Sequence, residues 1–578
     1  MKRLFLLLLS ITTGITVFAQ LVVNQIGFYP EGPKQAVVIN GALNKDFKLL
    51  HAETGETVYE GKLGEAIQSK NASLVTRIAD FSEFTKPGTY IISSGQFETK
   101  AFTIGEKVHQ EVAKGVLKGY YYQRASMPLA AQYAGKWARP AGHADDVVYI
   151  HASAASKKRP EGTVISAPGG WYDAGDYNKY IVNSGITMGT LLSAYEDFPQ
   201  YFEGLNVNIP ETGNGAPDIL NEAVYNLRWM LSMQDPHDGG VYNKLTNANF
   251  DAMDTQAHQN KEARYVVQKG TAATLDFAAV TAQSARILRN FPAVFPNLAD
   301  SCLAASRKAW NWAIKHPDMP YDQNQMNQIY KPEIATGGYG DRNFKDEWFW
   351  AAAELYLTTK DNKYQKFIDA NSIEKPQIPG WNNVYLLGVY SLLRYKDKIY
   401  EDRFATLINE LAEEFVNAIP TNAFGVVMGK SRADFFWGSN SLAANQGILL
   451  INAYRLTGNV IYLKAAISNA DYLLGRNATG YCFLTGFGYR SVRHPHHRPS
   501  VSDNVVEPIP GLLAGGPNPG APYSDGQYYE FTEPETTYAD VQGSYASNEI
   551  AINWNAPAVY LFGAIEAESK QLLLNLLK

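Results

Sequence analysis

Across residues 20–105 apolar and polar positions alternate in short runs that stop at turn residues. Examples are Ala36-Val37-Val38-Ile39 before Asn40-Gly41, Phe47-Lys48-Leu49-Leu50 before Glu53-Thr54-Gly55, Thr57-Val58-Tyr59, Leu74-Val75-Thr76-Arg77-Ile78, Gly88-Thr89-Tyr90-Ile91-Ile92 and Ala101-Phe102-Thr103-Ile104. A period of two broken at this spacing predicts roughly six or seven short strands folded as a small β-sandwich. No cluster of His or carboxylates falls in this stretch, so a structural or docking role is expected of it. After Glu106 the period lengthens to that of helices. Val108, Val112, Val116 and Tyr120 recur every four residues, and Ile219, Ala223, Leu227 and Met230 repeat the pattern behind Pro217, a suitable helix start. Segments near 107–125, 184–196, 218–234, 272–290, 299–315, 346–358, 361–369, 381–397, 401–418, 439–456, 460–476 and 549–572 read as helices in this way, the shortest of them, 361–369, equally as a turn. No strands intervene at a βαβ rhythm, which disfavours a Rossmann fold or a TIM barrel. The expected architecture is mainly α: a toroid of paired helices over 106–578, preceded by a small all-β domain.

The connections between helices are dense in Gly, Pro, Asn, Tyr and Trp, notably 167–180, 237–250, 334–342 and 480–543. Loops this long inside a compact domain usually carry function. Aromatics make up 12% of the chain; exposed, their faces suit sugar rings, and the competing use is core packing. A length of 578 residues with 46% hydrophobic and 19% charged excludes a disordered chain. Fifty-one Lys and Arg against 57 Asp and Glu leave a net charge of -6, so there is no basic footprint for nucleic acid. Cys302 and Cys482 are the only cysteines, which excludes a disulfide framework and a Cys-based zinc site and leaves room for one bridge at most. Lys2 and Arg3 precede an apolar run from Leu4 to Leu9, and Val17-Phe18-Ala19 precede Gln20. This pattern predicts a signal peptide over 1–19, cleaved near Ala19, and an exported mature protein. The alternative is a retained anchor, but a span needs about 20 predominantly apolar residues, and Ser10, Thr12, Thr13, Gly14 and Thr16 interrupt this one. No other stretch reads as a membrane span, and nothing in the sequence sets an oligomeric state.

Three constellations carry chemistry. The first is Gly169-Gly170-Trp171-Tyr172-Asp173-Ala174-Gly175-Asp176-Tyr177-Asn178-Lys179-Tyr180. Two Asp around Ala-Gly in a tight turn can aim at one spot and deprotonate a water, bind calcium, or cap the next helix. The second surrounds Glu549 at the start of an apolar helix, where a partly desolvated carboxyl serves as an acid or simply as a first-turn dipole partner. The third, Tyr489-Arg490-Ser491-Val492-Arg493-His494-Pro495-His496-His497-Arg498, is a polar loop able to hold hydroxyls or a carboxylate. The adjacent His496 and His497 diverge, which disfavours zinc.

These residues resemble glycoside hydrolase family 9, inverting cellulases built on an (α/α)6 barrel, in the subgroup with an N-terminal immunoglobulin-like domain. Val23-Asn24-Gln25-Ile26-Gly27-Phe28 with Pro30 and Lys34 resembles the start of that domain, and Tyr121-Tyr122-Gln123-Arg124 the opening of the barrel. The resemblance implies Asp176 as general base, Asp173 as its partner on the nucleophilic water, and Glu549 as general acid. Tyr538, Asp540, Tyr545, Glu549, Asn555 and Ala556 match the family's carboxy-terminal signature. Leu484, Thr485, Gly488, Arg490, Pro495, His496 and Arg498 match its His signature, with Cys482 where Ser, Thr or Val is expected. His496 and Arg498 are the implied substrate contacts, with His494 and His497 as neighbours. Phe436-Trp437-Gly438-Ser439-Asn440 and Gly515-Gly516-Pro517-Asn518 also resemble family loops, which makes Trp437, Tyr545 and Trp554 candidate substrate-binding aromatics. Relatives often hold zinc with paired Cys and His; around His143 and His151 this chain has no Cys, so zinc is not expected. Structural calcium is commoner in the family, with Asp218, Glu222 or Asp254 as candidates, and no cofactor is required for the chemistry. The implied function is endo-hydrolysis of a β-1,4-glucan by single displacement. The rivals are an exo-acting glucosidase or glucosaminidase of the same family, a non-catalytic glycan-binding protein, and a toroidal polysaccharide lyase.

Overall fold

A computed structural model describes residues 20–41 and 45–574; the expected signal peptide lies outside the described residues. Residues 20–104 form the expected sandwich. One sheet has the strand order Gln20–Val23, Gln35–Ile39, Val75–Asp80, Ile67–Gln68, and the other Gly27–Phe28, Phe102–Ile104, Gly88–Ser94, Asp46–His51, Thr57–Lys62, with Phe97–Glu98 beside Gly88–Ser94. Alternation decides which residues meet between the sheets. In Asp46–His51, Phe47 and Leu49 point inward, joining Val23, Phe28, Val38, Phe81, Ile92 and Phe102 in one apolar cluster.

Outer and inner helices alternate in the chain that follows: Gln110–Gln123 then Ile181–Asp197, Asp218–Ser232 then Thr271–Leu288, Leu298–Lys315 then Lys345–Thr359, Gln365–Ala370 then Tyr385–Arg394, Glu401–Ala418 then Ser439–Thr457, and Val460–Leu473 then Ile552–Leu574. Each inner helix packs on the outer helix that comes next, and the last inner helix packs on Gln110–Gln123. Composition sets the layer. Glu401–Ala418 buries only Phe404, Ile408, Ala412 and Phe415, one stripe of an amphipathic outer helix. Thr271–Leu288 buries all but one of its residues and is rich in Ala and Thr, as an inner helix enclosed on every side must be. Small residues let inner helices approach: a Cβ on Gly189 would stand 2.5 Å from the Trp350 ring. Ile181–Asp197 packs on Thr271–Leu288 and Ile552–Leu574, Thr271–Leu288 on Lys345–Thr359, Lys345–Thr359 on Tyr385–Arg394, and Ser439–Thr457 on Ile552–Leu574. This is the expected helical barrel.

Outer-to-inner connections are long and inner-to-outer ones short, so 124–180, 233–270, 316–344, 419–438 and 474–551 gather at the end where inner helices begin. One feature of that end is absent from the sequence pattern: a five-stranded sheet ordered Val164–Ile165, Val148–Ile150, Tyr265–Val266, Lys244–Thr246, Lys179–Tyr180. Strands of two or three residues are too short to show a period. Their position nonetheless matters, because the last one fixes the chain immediately after Asp176.

The sandwich sits against the barrel through polar contacts as well as apolar ones. Asn24 Nδ2 donates to Asp471 Oδ1 at 2.7 Å, Tyr29 Oη to Glu566 Oε1 at 2.5 Å, and Gln25 Nε2 to the carbonyl of Gly480 at 2.9 Å. No helix among the described residues is long and apolar enough to cross a membrane. Cys302 and Cys482 are both buried free thiols.

Candidate active site

The 167–180 connection brings Asp173 and Asp176 together with 1% and 4% of their surface exposed. Asp173 N donates to the carbonyl of Asn178 at 3.0 Å, closing the turn, and Ile552 N donates to the carbonyl of Asp173 at 2.8 Å, tying the turn to the last inner helix. Asp176 Oδ2 accepts from Asn178 Nδ2 at 2.6 Å and Tyr180 Oη at 2.9 Å. Asp173 Oδ1 accepts from Asn183 Nδ2 at 2.6 Å and Oδ2 from Tyr339 Oη at 2.7 Å. The helix that follows receives no side-chain cap, so capping is removed from the three uses open to this pair. Burial first, then the neighbouring Asp176, pushes Asp173 up to about 8.

Behind the pair stands a polar scaffold that the sequence did not announce. Lys179 Nζ and Arg264 Nε meet Asp145 at 2.7 and 3.0 Å, and Arg264 Nη1 reaches Asn178 Oδ1 at 3.3 Å, so the amide that orients Asp176 is itself oriented. Asn183 and Tyr339 were also missed. Tyr339 lies in the Gly-rich 334–342 connection with φ at +48°, a left-handed backbone uncommon for an aromatic residue. That conformation accompanies the hydrogen bond to Asp173 and an edge contact with Tyr180, ring centres 4.9 Å apart.

Glu549 departs from its expected place. The sequence pattern starts a helix at 549, but a short helix, Tyr545–Asn548, ends just before it and the long one begins at Ile552. Glu549 itself is extended, with φ −70° and ψ 161°, and bridges His496 on one side while Ile550 bridges Ala514 on the other. It is therefore not a first-turn dipole partner. Its Oε1 accepts from Gly175 N at 3.3 Å, which sets the carboxyl on the Asp turn. Burial, then Asp176, pushes Glu549 up to about 8, against the opposing pull of the Gly175 N–H and Arg498. The group thus keeps a proton at neutral pH.

Gly175 is required by contact. A Cβ there would stand 2.2 Å from the carbonyl oxygen of His496, a backbone atom that cannot move aside cheaply. Gly175→Ala is expected to retain the fold but lose most turnover, because separating the two loops by about 1 Å is enough to cost about 10²-fold. Activity near that of the parent, with an unchanged melting temperature, would show that the loops need not touch.

The His loop divides its roles. Arg498 donates from N (3.1 Å) and Nη1 (2.8 Å) to the carbonyl of Gly175 and from Nε to the carbonyl of Asp251 at 2.9 Å, bracing the Asp turn. His496 is partly exposed, with Nδ1 2.8 Å from the carbonyl of Gln542 and its ring 5.7 Å from that of Tyr545. His497 is buried and contacts Gln123 Oε1 at 2.8 Å; Gln123 Nε2 in turn donates to the carbonyls of Tyr172 and Ala174 at 3.3 and 3.2 Å. His494 is exposed, and its backbone N donates to Asp540.

Trp437 and Tyr545 lie side by side with ring centres 5.4 Å apart, and Trp437 keeps 44% of its surface exposed. Trp554 corrects the expectation of a sugar platform. It is 8% exposed and packs with Ala174 and Ala551, its indole 2.5 Å from where a Cβ of Gly438 would stand, so it supports the loops from beneath. Phe250, Tyr489, Tyr523 and Tyr528 add exposed aromatic rings on the connections at this end.

The calcium candidates named from sequence do not converge. Asp218 Oδ2 accepts from Val207 N and Thr212 Oγ1 at 2.9 and 2.8 Å, Glu222 pairs with Arg124 at 2.9 Å, and Asp254 is exposed on another segment. His143 Nδ1 lies 2.9 Å from Tyr172 Oη, and His151 uses both ring nitrogens on Ser153 and Pro332. Among the described residues no group of three or more His, Cys, Asp or Glu closes around a common point. Asp276 and Glu347 have both carboxyl oxygens buried without a partner and Asp346 has one; burial pushes each of the three up, and for Asp276 and Glu347 the next cause is Asp346.

A carboxylate pair on one connection and a proton-bearing Glu from another, at the open end of a helical barrel, define an acid–base hydrolase of glycosidic bonds. Residues 109–562 match the family described as Glycosyl hydrolase family 9, and 17–99 match the Cellulase N-terminal ig-like domain. A xyloglucan-specific endo-beta-1,4-glucanase of Bacteroides ovatus is 46% identical over 556 residues, covering 94% of this chain and 93% of its own. A solved Bacteroides ovatus GH9 structure superposes with a TM-score of 0.90 at 44% identity, covering 95% of this chain and 98% of that one. A mutant thermostable endoglucanase of Alicyclobacillus acidocaldarius does so with a TM-score of 0.84 at 30% identity, over 95% and 99%. The chain belongs to glycosyl hydrolase family 9 and is a glycoside hydrolase with an N-terminal immunoglobulin-like domain.

Proposed function

We propose that this enzyme is an exported endo-β-1,4-glucanase that cleaves xyloglucan-type chains with inversion. The observation that carries the reading is the contact of Glu549 Oε1 with Gly175 N, which sets a protonated carboxyl across the turn that holds Asp173 and Asp176. Glu549 gives its proton to the leaving glycosidic oxygen. Asp176, pinned by Asn178 and Tyr180, takes a proton from water, and Asp173 holds that water. An inverting reaction needs acid and base about 6.5–9.5 Å apart so that water fits between them. His496 and the Trp437–Tyr545 surface meet the sugar chain. The substrate preference follows the similarity to the Bacteroides ovatus xyloglucanase, and export follows the pattern of residues 1–19.

The test is proton NMR of a fresh xyloglucan digest with viscometry in parallel. The α-anomer is expected first, and viscosity should fall well before reducing ends accumulate. A β-anomer appearing first removes inversion; slow viscosity loss favours chain-end action; activity on unsubstituted glucan alone removes the xyloglucan preference.

A further inference from the structure

The sandwich grips the 474–551 connection, which builds much of the site, at two places. Gln25 holds one of them, donating from Nε2 to the carbonyl of Gly480 and accepting at Oε1 from Arg490 N, both at 2.9 Å, at the root of the His loop. The 68–75 turn holds the other. Ser69 Oγ donates to the buried carboxyl of Glu535, and the same oxygen is fixed by Asn71 N at 3.0 Å and Ala72 N at 3.3 Å. Ser73 gives its N and Oγ to the two oxygens of Glu533 at 2.8 and 2.6 Å. Asn71 Nδ2 adds a bond to the carbonyl of Gly429 at 2.7 Å, so the turn is anchored to the barrel independently of the loop it holds.

From Glu533 the path to Glu549 is short and bonded throughout. Thr536 N and Thr537 N both donate to the carbonyl of Glu533 at 3.0 Å, coiling the chain, and Asn518 N donates to the carbonyl of Thr537 at 2.9 Å. Tyr538 follows, its ring 5.1 Å from those of both Tyr481 and Phe483 and its hydroxyl donating to Asn548 Oδ1. Asp540 Oδ1 accepts from Asn548 Nδ2 at 3.1 Å and from His494 N at 2.8 Å. Asn548 directly precedes Glu549, and its carbonyl accepts from His496 N at 3.0 Å.

We propose that the 68–75 turn of the sandwich is a positioning element for the proton donor. Ser69 and Ser73, acting through Glu535 and Glu533, set where Tyr538 and Asp540 hold Asn548, and so where the Glu549 carboxyl stands against Gly175. The inference rests on Glu549 being the proton donor. A long connection has many conformations to lose, and directional bonds from a rigid sheet domain select one of them. Simple docking of two domains would affect stability and every substrate alike. Positioning affects the step that needs the proton.

The test compares the full-length parent with a Ser69→Ala, Ser73→Ala double variant. The two substrates are a soluble glucan and an aryl β-cellobioside whose acidic phenol leaves without protonation. On the glucan, kcat is expected to fall about ten-fold with KM little changed, the scale of a sub-ångström misplacement. The aryl substrate should keep most of its turnover, and Glu535→Gln, which still accepts from Ser69, should keep most glucan activity. Equal loss on both substrates, or no loss on either, overturns the proposal. If the double variant does not accumulate, Ser73→Ala alone, at an exposed serine, carries the same comparison. Glu549→Gln run beside it separates the two readings. If it fails to discriminate the substrates, the donor assignment falls; if it discriminates and the serine variant does not, only the positioning role falls.

Discussion

An Asp176→Asn variant is expected to be nearly inactive on every substrate, natural or activated, with kcat lower by roughly 10²–10⁴, the usual worth of a positioned proton acceptor. Asn has the same shape, so the bonds from Asn178 Nδ2 and Tyr180 Oη have an amide oxygen to reach and the turn should stand as it does now. What the amide lacks is the ability to take a proton from water. An activated leaving group does not help, because the attacking water still has to be deprotonated. Asp173 is a poor substitute, since burial beside Asp176 pushes it up to about 8 and it already accepts from Asn183 and Tyr339. Initial rates on a glucan and on an aryl cellobioside, with a melting curve to show the fold intact, check this. Turnover within ten-fold of the parent would move the base to Asp173.

Much of this architecture was legible in the sequence because its signals are local and repeated. Glu401–Ala418 coincides with its apolar periodicity at both ends, since a solvent-facing outer helix shows one clear stripe. Inner helices are buried all round, so their ends were set less sharply: Ile181–Asp197 begins three residues before the predicted 184. Asp173, Asp176 and Glu549, which the structure brings to one place, stand out in the sequence through the motifs that contain them, whereas Tyr339 and Asn183 reach Asp173 only through the fold. The Gly-rich run 334–342 marked a functional loop without saying which residue in it turns inward. Trp554 went the other way. Its place in a signature suggested a sugar platform, but nothing in the local sequence shows that Gly438, Gly515 and Ala174 close over it. The small sheet around Lys179–Tyr180 escaped for the same reason, its pairing being entirely long-range.

A Glu549→Gln variant is expected to lose roughly 10²–10⁴ of kcat on glucans and far less on an aryl cellobioside whose phenol departs unprotonated. The amide still accepts from Gly175 N, so the contact between loops survives while the transferable proton does not. In the parent, activity on glucans should fall as pH rises through about 8, where Glu549 gives up its proton. Asp173 titrates in the same range, so the observed limb belongs to the two together. Stability carries the same sign. The folded state holds Glu549 protonated far above the roughly 4.3 of an unfolded Glu, so this contribution is complete below that value and is lost as pH rises to about 8. Glutamine has nothing to lose over this window. The variant should therefore melt close to the parent near pH 4 and above it near pH 8, so the two curves of melting temperature against pH diverge on the alkaline side. Curves that stay parallel would mean Glu549 titrates as an ordinary carboxyl, and equal kinetic loss on both substrates would place the proton donor elsewhere.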